Sequence, residues 1–328
     1  MRPTIRGLHH DHIDGSRAAL DVIEDLNAMS GQKLRYSSHE EWAAFFRDPH
    51  HGLVERFAAI TGVLQSAEAL DLIGYAYGRR RAAEGHRYVE GKFAPQYHTS
   101  GGLTMRQATD AMLRGLKRAE RECGIRILLQ ICIGRETDET TGVEIACIAL
   151  EHEGEIALDL ACDEAGHPPE KHFKAYQSTF NSNVKCDCHA GEWVSREPRE
   201  TYRRRLLENV RTAVYDLRCH GIGHAIPLPD DPELVSYIVD NGVRVSGCPT
   251  SNLYCGLIAD VRELRIDELL DRGVIYTLNA DDDLFMPQAD ETARVCDDAY
   301  GFTAAQCRQL EENVFRGAFA DDVRARTA

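Results

Sequence analysis

Basic residues are scarce in this sequence relative to acidic ones. Its 328 residues include 38 Lys and Arg against 53 Asp and Glu, which gives a formal net charge of -15 and a pI near 5.4. An acidic surface repels phosphate backbones and anionic lipid headgroups, so we expect neither nucleic acid nor a membrane surface as a partner. A neutral small molecule is the kind of ligand that this charge balance accepts.

Long hydrophobic runs are missing as well. No stretch approaches the roughly 18 apolar residues that a membrane span needs, and the first residues, MRPTIRGLHHDH, lack the apolar core of a secretory signal. The 11 cysteines are odd in number and scattered, and most stand inside apolar runs such as residues 131–133. This pattern predicts reduced, buried thiols rather than a disulfide framework, and hence a cytoplasmic protein.

Internal repeats, low-complexity blocks and Pro- or Ser-rich linkers are also absent, and short apolar runs alternate with longer helical patterns. The predicted strands span residues 5–12, 87–93, 125–133, 156–160, 183–189, 220–224, 244–248 and 275–279. The clearest helical patterns span residues 105–122, 199–217, 233–241 and 267–272. Eight strands alternating with helices predict one (β/α)8 barrel domain over residues 1–328. Strand count alone fits an open doubly wound sheet nearly as well.

The interval between the first two predicted strands, residues 14–87, is too long for a single βα unit. It contains two further helical patterns, residues 40–46 and 53–66. In a barrel these helices would lie over the carboxyl ends of the strands, where lids belong. Their aromatic side chains could close over a base, but we expect most of them to pack the helices onto the barrel.

A histidine pair stands at the end of the first predicted strand, in HHDHIDG over residues 9–15. Residues two apart on a strand point the same way, so His10 and His12 project together while His9 points to the other face. Neutral imidazoles are preferred zinc ligands. The pair therefore indicates a metal site, whereas a polar loop with chance histidines is the alternative.

A second motif, His189-Ala190-Gly191-Glu192, ends the fifth predicted strand. His189 can face the barrel axis as a third ligand, and Glu192 follows where the chain leaves the strand. That place suits a group that moves protons near a metal rather than binding it. Cys186 and Cys188 face away from the His189 side by alternation, so we expect them to pack in the core and regard thiolate ligation as a minor alternative.

Two more polar motifs end the sixth and eighth predicted strands. Gly223-His224 closes the sixth, and three consecutive aspartates, residues 281–283, follow the eighth. The aspartates fit either a solvated turn or a site in which one carboxylate binds a metal and another binds substrate. Because all four motifs fall at carboxyl ends of strands, where barrel enzymes place their chemistry, their combination predicts one active site.

These motifs, taken in order, resemble the adenosine deaminase family of the amidohydrolase superfamily. They are H-x-H-x-D-G at residues 10–15, H-A-G-E at 189–192, G-H at 223–224 and N-x-D-D at 279–282. D-L-A-C-D-E at residues 159–164 and C-P-T-S-N at 248–252 extend the resemblance, which spans nearly the whole chain. It implies hydrolytic deamination of adenosine or 2'-deoxyadenosine to inosine or 2'-deoxyinosine, with release of ammonia.

The resemblance also implies a role for each site residue. One zinc ion per chain would be held by His10, His12, His189 and Asp281. Glu192 would protonate the purine ring nitrogen beside the attacked carbon, and His224 would orient the attacking hydroxide. The substrate-binding residues would be Asp14 for a ribose hydroxyl, Cys162 through its backbone N–H, and Asp282 for the imidazole-ring nitrogen of the purine.

Four positions depart from the family pattern. Cys162 replaces a glycine, Ala225 replaces a frequent glycine, Ala280 stands where threonine is common and Asp283 where proline is common. None removes a catalytic group, so the departures bear on the substrate more than on the reaction.

Several alternatives stay open from the sequence. The substrate could be a related aminopurine: adenine, an N6-substituted nucleoside or its monophosphate, or aminodeoxyfutalosine. A hydrolase acting on an amide or phosphoester, and a catalytically silent binding protein of the same fold, are weaker alternatives. Three imidazoles and a carboxylate also suit iron or cobalt, and the oligomeric state, including a homo-oligomer, is left open.

Overall fold

The computed structural model describes residues 2–31, 36–48, 50–192 and 199–325. Its strands are β1 Gly7–His12, β2 Tyr88–Phe93, β3 Arg126–Gly134, β4 Ile156–Ala161, β5 His189–Ala190, β6 Gly221–His224, β7 Arg244–Gly247 and β8 Ile275–Leu278. All eight predicted strands are present, and every neighbouring pair within a sheet is parallel. Continuous burial along the strands fits a parallel sheet that is covered on both faces.

The strands form two four-stranded sheets, β1 to β4 and β5 to β8, each in sequence order. Backbone hydrogen bonds join the two sheets at both edges. On one side the N–H of His12 donates to the carbonyl of Asp281 at 3.0 Å; on the other, Leu158 donates to Lys185 at 2.9 Å. The ring of strands is thereby closed, which confirms the predicted (β/α)8 barrel over the open sheet.

The helices surround the strands. They are α1 Ala18–Asp21, α2 Ile23–Ser30, α3 His39–Arg47, α4 Leu53–Val63, α5 Ala67–Ala83, α6 Met105–Cys123, α7 Glu139–Glu151, α8 Phe173–Thr179, α9 Arg199–Tyr215, α10 Pro232–Asp240, α11 Pro249–Tyr254, α12 Ile266–Asp271, α13 Ala289–Tyr300, α14 Ala304–Arg316 and α15 Asp321–Arg324. The predicted helices are all among them. Helix α6 shows why: Thr104 and Gln107 form a capping box at its start, and Gly124 ends it with a left-handed φ of 69°.

The fifth strand is much shorter than predicted, with two residues instead of the span 183–189. Side chains take the place of the strand ladder just before it. The backbone N–H of Cys186 donates to His220 Nδ1 at 3.1 Å, and that of Cys188 donates to the carboxylate of Asp187 at 3.0 Å. Because these two amides bond to side chains, pairing of this segment is irregular: it keeps one bridge from Cys186 to Leu158, and the N–H of Asp187 donates to the carbonyl of Leu158 at 2.8 Å.

Helices α1 to α5 form the insertion between β1 and β2, and they reach the carboxyl mouth of the barrel. Phe285, which follows β8, meets Phe46 and Phe57 edge-on at ring distances of 5.5 and 5.0 Å. This places the insertion where a lid was predicted. Trp42 and Phe46 are buried, so they pack the lid as expected.

Among the described residues no single helix is long and apolar enough to span a membrane. Helices α4 and α5 pass that test only as a pair, and they are bent by 115° where they meet.

Charged side chains fill the barrel interior below the carboxyl mouth. Arg244 donates to both carboxylate oxygens of Glu90, and to Asp187 at 3.0 Å. Lys92 donates to Asp159 at 3.0 Å. All five are fully or nearly fully buried. Buried charges need such partners because desolvation is otherwise costly. This network supports the site from beneath.

Candidate active site

The carboxyl ends of the strands carry the predicted site residues to one place. His10 and His12 come from β1, His189 from β5, His224 from the end of β6, and Asp281 follows β8. One atom each from His10, His12, His189 and Asp281 lies within 4.8 Å of the others. The structure therefore brings the four predicted metal ligands together, as alternation on β1 and the common strand edge require.

This cluster fits a zinc ion. The Nε2 atoms of His10 and His12 lie 3.3 and 3.4 Å from Asp281 Oδ1, and the Nε2 atoms of His12 and His189 lie 3.3 Å apart. His10 Nε2 is buried without a hydrogen-bond partner. Burial lowers the pKa of His12 to about 4 and that of His10 well below its usual value, so both rings are neutral. Neutral imidazoles with one carboxylate are a typical catalytic zinc donor set.

An overlapping group of possible ligands contains His10, His224, Cys248 and Asp281. Burial first, and then the negative charge of Asp281, raise the pKa of the Cys248 thiol well above its usual value. A protonated thiol is a poor ligand because zinc binds the thiolate. The group with three histidines is therefore the better metal site.

Several residues hold the ligands in place, and sequence reasoning did not assign them. Asp159 Oδ2 lies 2.9 Å from His189 Nδ1 and also accepts from buried Lys92. Ser251 donates to Asp281 Oδ2 at 2.7 Å. Such contacts orient ligands and are a regular feature of metal sites. The only sequence signal was that Asp159 and Ser251 belong to the family-like stretches.

Glu192 and His224 form a pair of titratable groups beside the cluster. Glu192 Oε1 lies 3.5 Å from His224 Nε2. Burial raises the pKa of Glu192 to about 7, against the opposing effect of His224. Burial alone would lower the pKa of His224, but Glu192 and Asp281 outweigh it and raise the pKa overall. Asn252 Oδ1 lies 2.9 Å from His224 Nδ1 and fixes the ring. A carboxyl group with a pKa near 7 can both donate and accept a proton at neutral pH.

Glu164 positions the backbone that carries Glu192. Its two carboxylate oxygens accept from the N–H groups of Gly191 and Glu192, each at 2.8 Å. Asn209 donates to the same carboxylate at 2.9 Å. Gly191 has a φ of 76°, a left-handed conformation that glycine adopts without strain. The turn that aims Glu192 at the cluster is thus held by a residue with no catalytic contact of its own.

Asp282 lies beside the cluster on the side of Gly15 and Asp14. A Cβ on Gly15 would come within 1.9 Å of Asp282 Oδ1, so only glycine leaves room for this carboxyl group. Asp282 Oδ1 is buried without a hydrogen-bond partner. Burial first, and then Asp281 and Asp14, raise the pKa of Asp282 well above its usual value. A protonated Asp282 can donate a hydrogen bond to a ligand. Asp14 is itself buried, with Oδ2 3.3 Å from His98 Nε2.

Comparison with known proteins decides the family. The family model described as adenosine deaminase matches residues 6–327. The chain belongs to the adenosine deaminase family. It is 26% identical to the adenosine deaminase of Mycobacterium ulcerans over 342 residues, which covers 97% of this chain and 91% of that protein.

Solved structures show the same fold. The adenine deaminase of Arthrobacter aurescens matches with a TM-score of 0.81 and 24% identity, and the match covers 99% of each chain. An amidohydrolase from Burkholderia ambifaria with bound Zn matches with a TM-score of 0.82 and 24% identity, covering 98% of this chain and 87% of that one.

Membership of the adenosine deaminase family makes the chain a metal-dependent hydrolytic deaminase of an aminopurine. Its cofactor is zinc, the metal that the histidine and aspartate cluster fits.

Two departures from the adenosine deaminase pattern fall on left-handed backbone. Cys162 has a φ of 78° and Ala225 a φ of 51°. Side chains other than glycine adopt this region at a cost of about 1–2 kcal/mol, and the family pattern that the sequence resembles has glycine at both places. His224 and Asp281 are left-handed as well, at 61° and 66°. The site therefore stores backbone strain around its functional side chains.

The Cys162 side chain lies beside Tyr97. Its Sγ is 3.3 Å from the Tyr97 hydroxyl, which also donates to Glu136. Cys162 follows β4, at the same strand end as the rest of the site. The side chain that replaces the family glycine is thus built into a small cluster at the mouth of the barrel.

Cys186 and Cys188 do not take part in the metal cluster. Cys186 Sγ lies 3.2 Å from the hydroxyl of Thr179, and Cys188 Sγ lies 3.8 Å from Arg135 Nη2. Both thiols are buried. The prediction that they are packing residues is confirmed.

Proposed function

We propose that this protein hydrolyses the 6-amino group of a purine nucleoside, converting adenosine or 2'-deoxyadenosine to inosine or 2'-deoxyinosine and ammonia. The observation that carries the proposal is the arrangement around the metal cluster. Glu192 and His224 lie on one side of it, and Asp282, whose pKa is raised, lies nearby. Two carboxyl groups in different environments can then play an acid-base role and a purine-holding role.

We assign His10, His12, His189 and Asp281 as the zinc ligands. A bound zinc ion lowers the pKa of a water molecule and so supplies hydroxide at neutral pH. His224 would hold that hydroxide by a hydrogen bond from Nε2, which has a charged neighbour in Glu192 at 3.5 Å but no hydrogen-bond partner among the described residues. Asn252 keeps the ring in this orientation from its other nitrogen.

Glu192 carries the protons in this proposal. It would donate one to the purine ring nitrogen next to the attacked carbon, and this protonation makes that carbon more electrophilic. The resulting carboxylate would take the proton of the added hydroxyl and pass it to the amino group, which would leave as ammonia while the carbon becomes a carbonyl. The water supplies the oxygen of the product, so the overall exchange of an amine for an oxygen is balanced.

Asp282 and Asp14 would hold the substrate. Protonated Asp282 would donate to the imidazole-ring nitrogen of the purine, a contact that a free carboxylate cannot make. Asp14 would accept from a ribose hydroxyl, and Cys162 would use its backbone N–H toward the base. Retention of the buried carboxylate of Asp14 supports a nucleoside over a free base.

The free base adenine is the second candidate, on one specific observation. Cys162 adds a side chain where the family has glycine, and that side chain stands against Tyr97. Extra volume at this point leaves less room for a sugar.

Ammonia release by the zinc-loaded protein tests the proposal directly. The substrate panel is adenosine, 2'-deoxyadenosine, adenine, methylthioadenosine, aminodeoxyfutalosine, N6-methyl-AMP and guanine. We expect the highest kcat/KM for adenosine or 2'-deoxyadenosine. A higher value for adenine, N6-methyl-AMP or aminodeoxyfutalosine would replace the nucleoside assignment while keeping the reaction. No ammonia from any of them would reject the proposed reaction.

We predict that Cys162→Gly shifts specificity toward the nucleoside. Removing the side chain opens the space beside Tyr97, so the ratio of kcat/KM for adenosine over adenine should rise. It also relieves left-handed strain, so the free energy of unfolding should rise by about 1 kcal/mol. Cys162→Ser is the matched control because it keeps both the side chain and the strain. An unchanged ratio in Cys162→Gly would show that Cys162 does not shape the pocket.

The pH dependence of kcat/KM follows from Glu192. Its pKa is raised to about 7, and the group acts first as a proton donor. On account of Glu192, kcat/KM should therefore fall about tenfold per pH unit above that pKa. A flat profile from about pH 6 to 9 would be inconsistent with Glu192 as the donor.

The single-domain organisation, the cytoplasmic location, a homo-oligomeric state and the lack of nucleic-acid and membrane partners remain predictions from the sequence.

A further inference from the structure

A pocket of about 380 Å³ opens at the amino end of the barrel strands, opposite the active site. Lys185 lies just before β5, His220 immediately precedes β6, and Val243 immediately precedes β7. His224, at the other end of β6, belongs to the active site. Four residues of extended chain separate it from His220, which corresponds to roughly 13 Å. The pocket is therefore distinct from the active site.

Cations line this pocket on a protein that is otherwise strongly acidic. Lys185, Arg218 and Arg316 border it; Arg324 borders it too but forms an ion pair with Asp321. Within the described residues none of the three has an ion-pair partner: Arg218 stacks on the ring of Phe180 at 4.5 Å, and Arg316 donates only to the side-chain oxygen of Asn313. With a formal net charge of -15, acidic partners are abundant elsewhere. Cations left without carboxylates around one cavity indicate an anion-binding site.

His220 adds a hydrogen-bond donor to the lining of the pocket. Its Nδ1 accepts the backbone N–H of Cys186 at 3.1 Å, so its Nε2 carries the proton in the neutral ring. Desolvation of the ring first, and then the charges of Lys185 and Arg244, lower the pKa of His220 to about 4, although the residue as a whole is exposed. The lowered pKa of His220 thus reflects, in part, the positive charge around the pocket.

Two exposed aromatic side chains stand on the rim. Tyr215 ends α9 and Tyr237 lies on α10, and both line the pocket. Their rings meet edge-on at 4.7 Å, and they remain 44% and 38% exposed. Large exposed aromatic side chains next to polar groups are typical of ligand sites, because a planar ligand can cover them.

We propose that this pocket binds a nucleoside monophosphate. Lys185, Arg218 and Arg316 would hold the phosphate, and the tyrosine pair would stack on the base. Arg and Lys are the usual phosphate ligands, and aromatic stacking accepts any base. The volume lies at the lower end of the range of about 300–1,000 Å³ for small-molecule sites, which suits a mononucleotide. This proposal does not rest on the proposed deaminase substrate.

Isothermal titration of the zinc-loaded protein with uridine 5'-monophosphate, uridine and inorganic phosphate tests the site. A pyrimidine probe is used because it lacks the aminopurine that the active site would bind. We expect one nucleotide per chain, with uridine and phosphate each bound at least about tenfold more weakly. The nucleotide affinity should fall as salt is raised, since screening weakens the phosphate contacts. No binding of the nucleotide would overturn the proposal.

Substitutions of lining residues test whether the nucleotide binds in this pocket. Arg218→Glu should weaken nucleotide affinity about tenfold or more. Its matched control is Arg79→Glu, which makes the same charge change at another exposed arginine stacked on a ring, that of Tyr75. Equal affinities of these two variants would overturn the proposed location. Lys185→Gln provides a second, milder test if Arg218→Glu lowers the melting temperature.

Tyr237→Ala separates the base contact from the phosphate contact. This variant should bind the nucleotide more weakly and should bind inorganic phosphate with unchanged affinity. If phosphate binds as tightly as the nucleotide and Tyr237→Ala changes neither, the pocket is a simple anion site and the nucleotide assignment is wrong. Deamination of adenosine should stay at the wild-type rate in all these variants, so a failure of this proposal is distinguishable from a failure of the proposed reaction.

Discussion

Glu192→Gln should abolish turnover while one zinc ion per chain stays bound. The amide has the same shape as the carboxyl group but cannot release or take up a proton. A positioned general acid contributes about 10²–10⁴-fold in rate, so kcat should fall by at least that factor. Zinc should remain because the metal cluster consists of three histidines and Asp281, without Glu192. Ammonia release and metal analysis of the same preparation measure the two effects.

Glu312→Gln is the control for this experiment. It makes the same chemical change at an exposed position of α14 and should leave both activity and metal content unchanged. Loss of zinc from Glu192→Gln would contradict the assignment, because it would make Glu192 a ligand. Full activity with zinc bound would remove Glu192 from the proton transfer.

Asp281→Ala, unlike Glu192→Gln, should lose the zinc ion. Asp281 Oδ1 lies 3.3 and 3.4 Å from two of the histidine nitrogens, so its removal takes away the only carboxylate of the cluster. Loss of a mere supporting contact costs about 10–100-fold in metal affinity, and loss of a ligand should cost about 100-fold or more. Competition with a chelator measures this affinity, and activity should fall with zinc content.

Two further variants separate metal loss from other causes. Asp281→Asn keeps the shape and tolerates the left-handed φ of 66° better than alanine, so the loss of zinc that it shows is not due to backbone strain. Asp282→Asn changes the adjacent carboxyl group, which lies outside the metal cluster. It should keep zinc and lose activity. Full zinc content in both Asp281 variants would refute the ligand assignment.

Much of the site followed from local periodicity. On β1 the alternation of side chains puts His10 and His12 on one face and His9 on the other, and the structure agrees: His9 Nε2 instead lies 2.7 Å from the carbonyl of Val314. The carboxyl ends of parallel strands share one edge, so motifs far apart in the chain had to meet there. Both inferences use only short-range geometry and the closure of the barrel.

Other features depended on contacts that no local pattern records. Strand β5 is short because the side chains of His220 and Asp187 accept from the amides of Cys186 and Cys188 just before it. Glu164 acquires its role only because the fold places its carboxylate at two amides 27 and 28 residues away. The strain at Cys162 and Asp281 is likewise visible only as backbone angles.

The sequence by itself predicted the fold class, the residues of the metal cluster and the carboxyl group that we propose to move protons, because these depend on residue type, on the alternation of strands and on motifs that resemble a known family. The tertiary structure alone decided which groups hold those residues, why the pKa of Asp282 is raised, and where cations without an ion-pair partner among the described residues gather at the opposite end of the barrel. Electrostatic environment and side-chain partnership arise from residues distant in the chain, and only the folded backbone sets the distances between them.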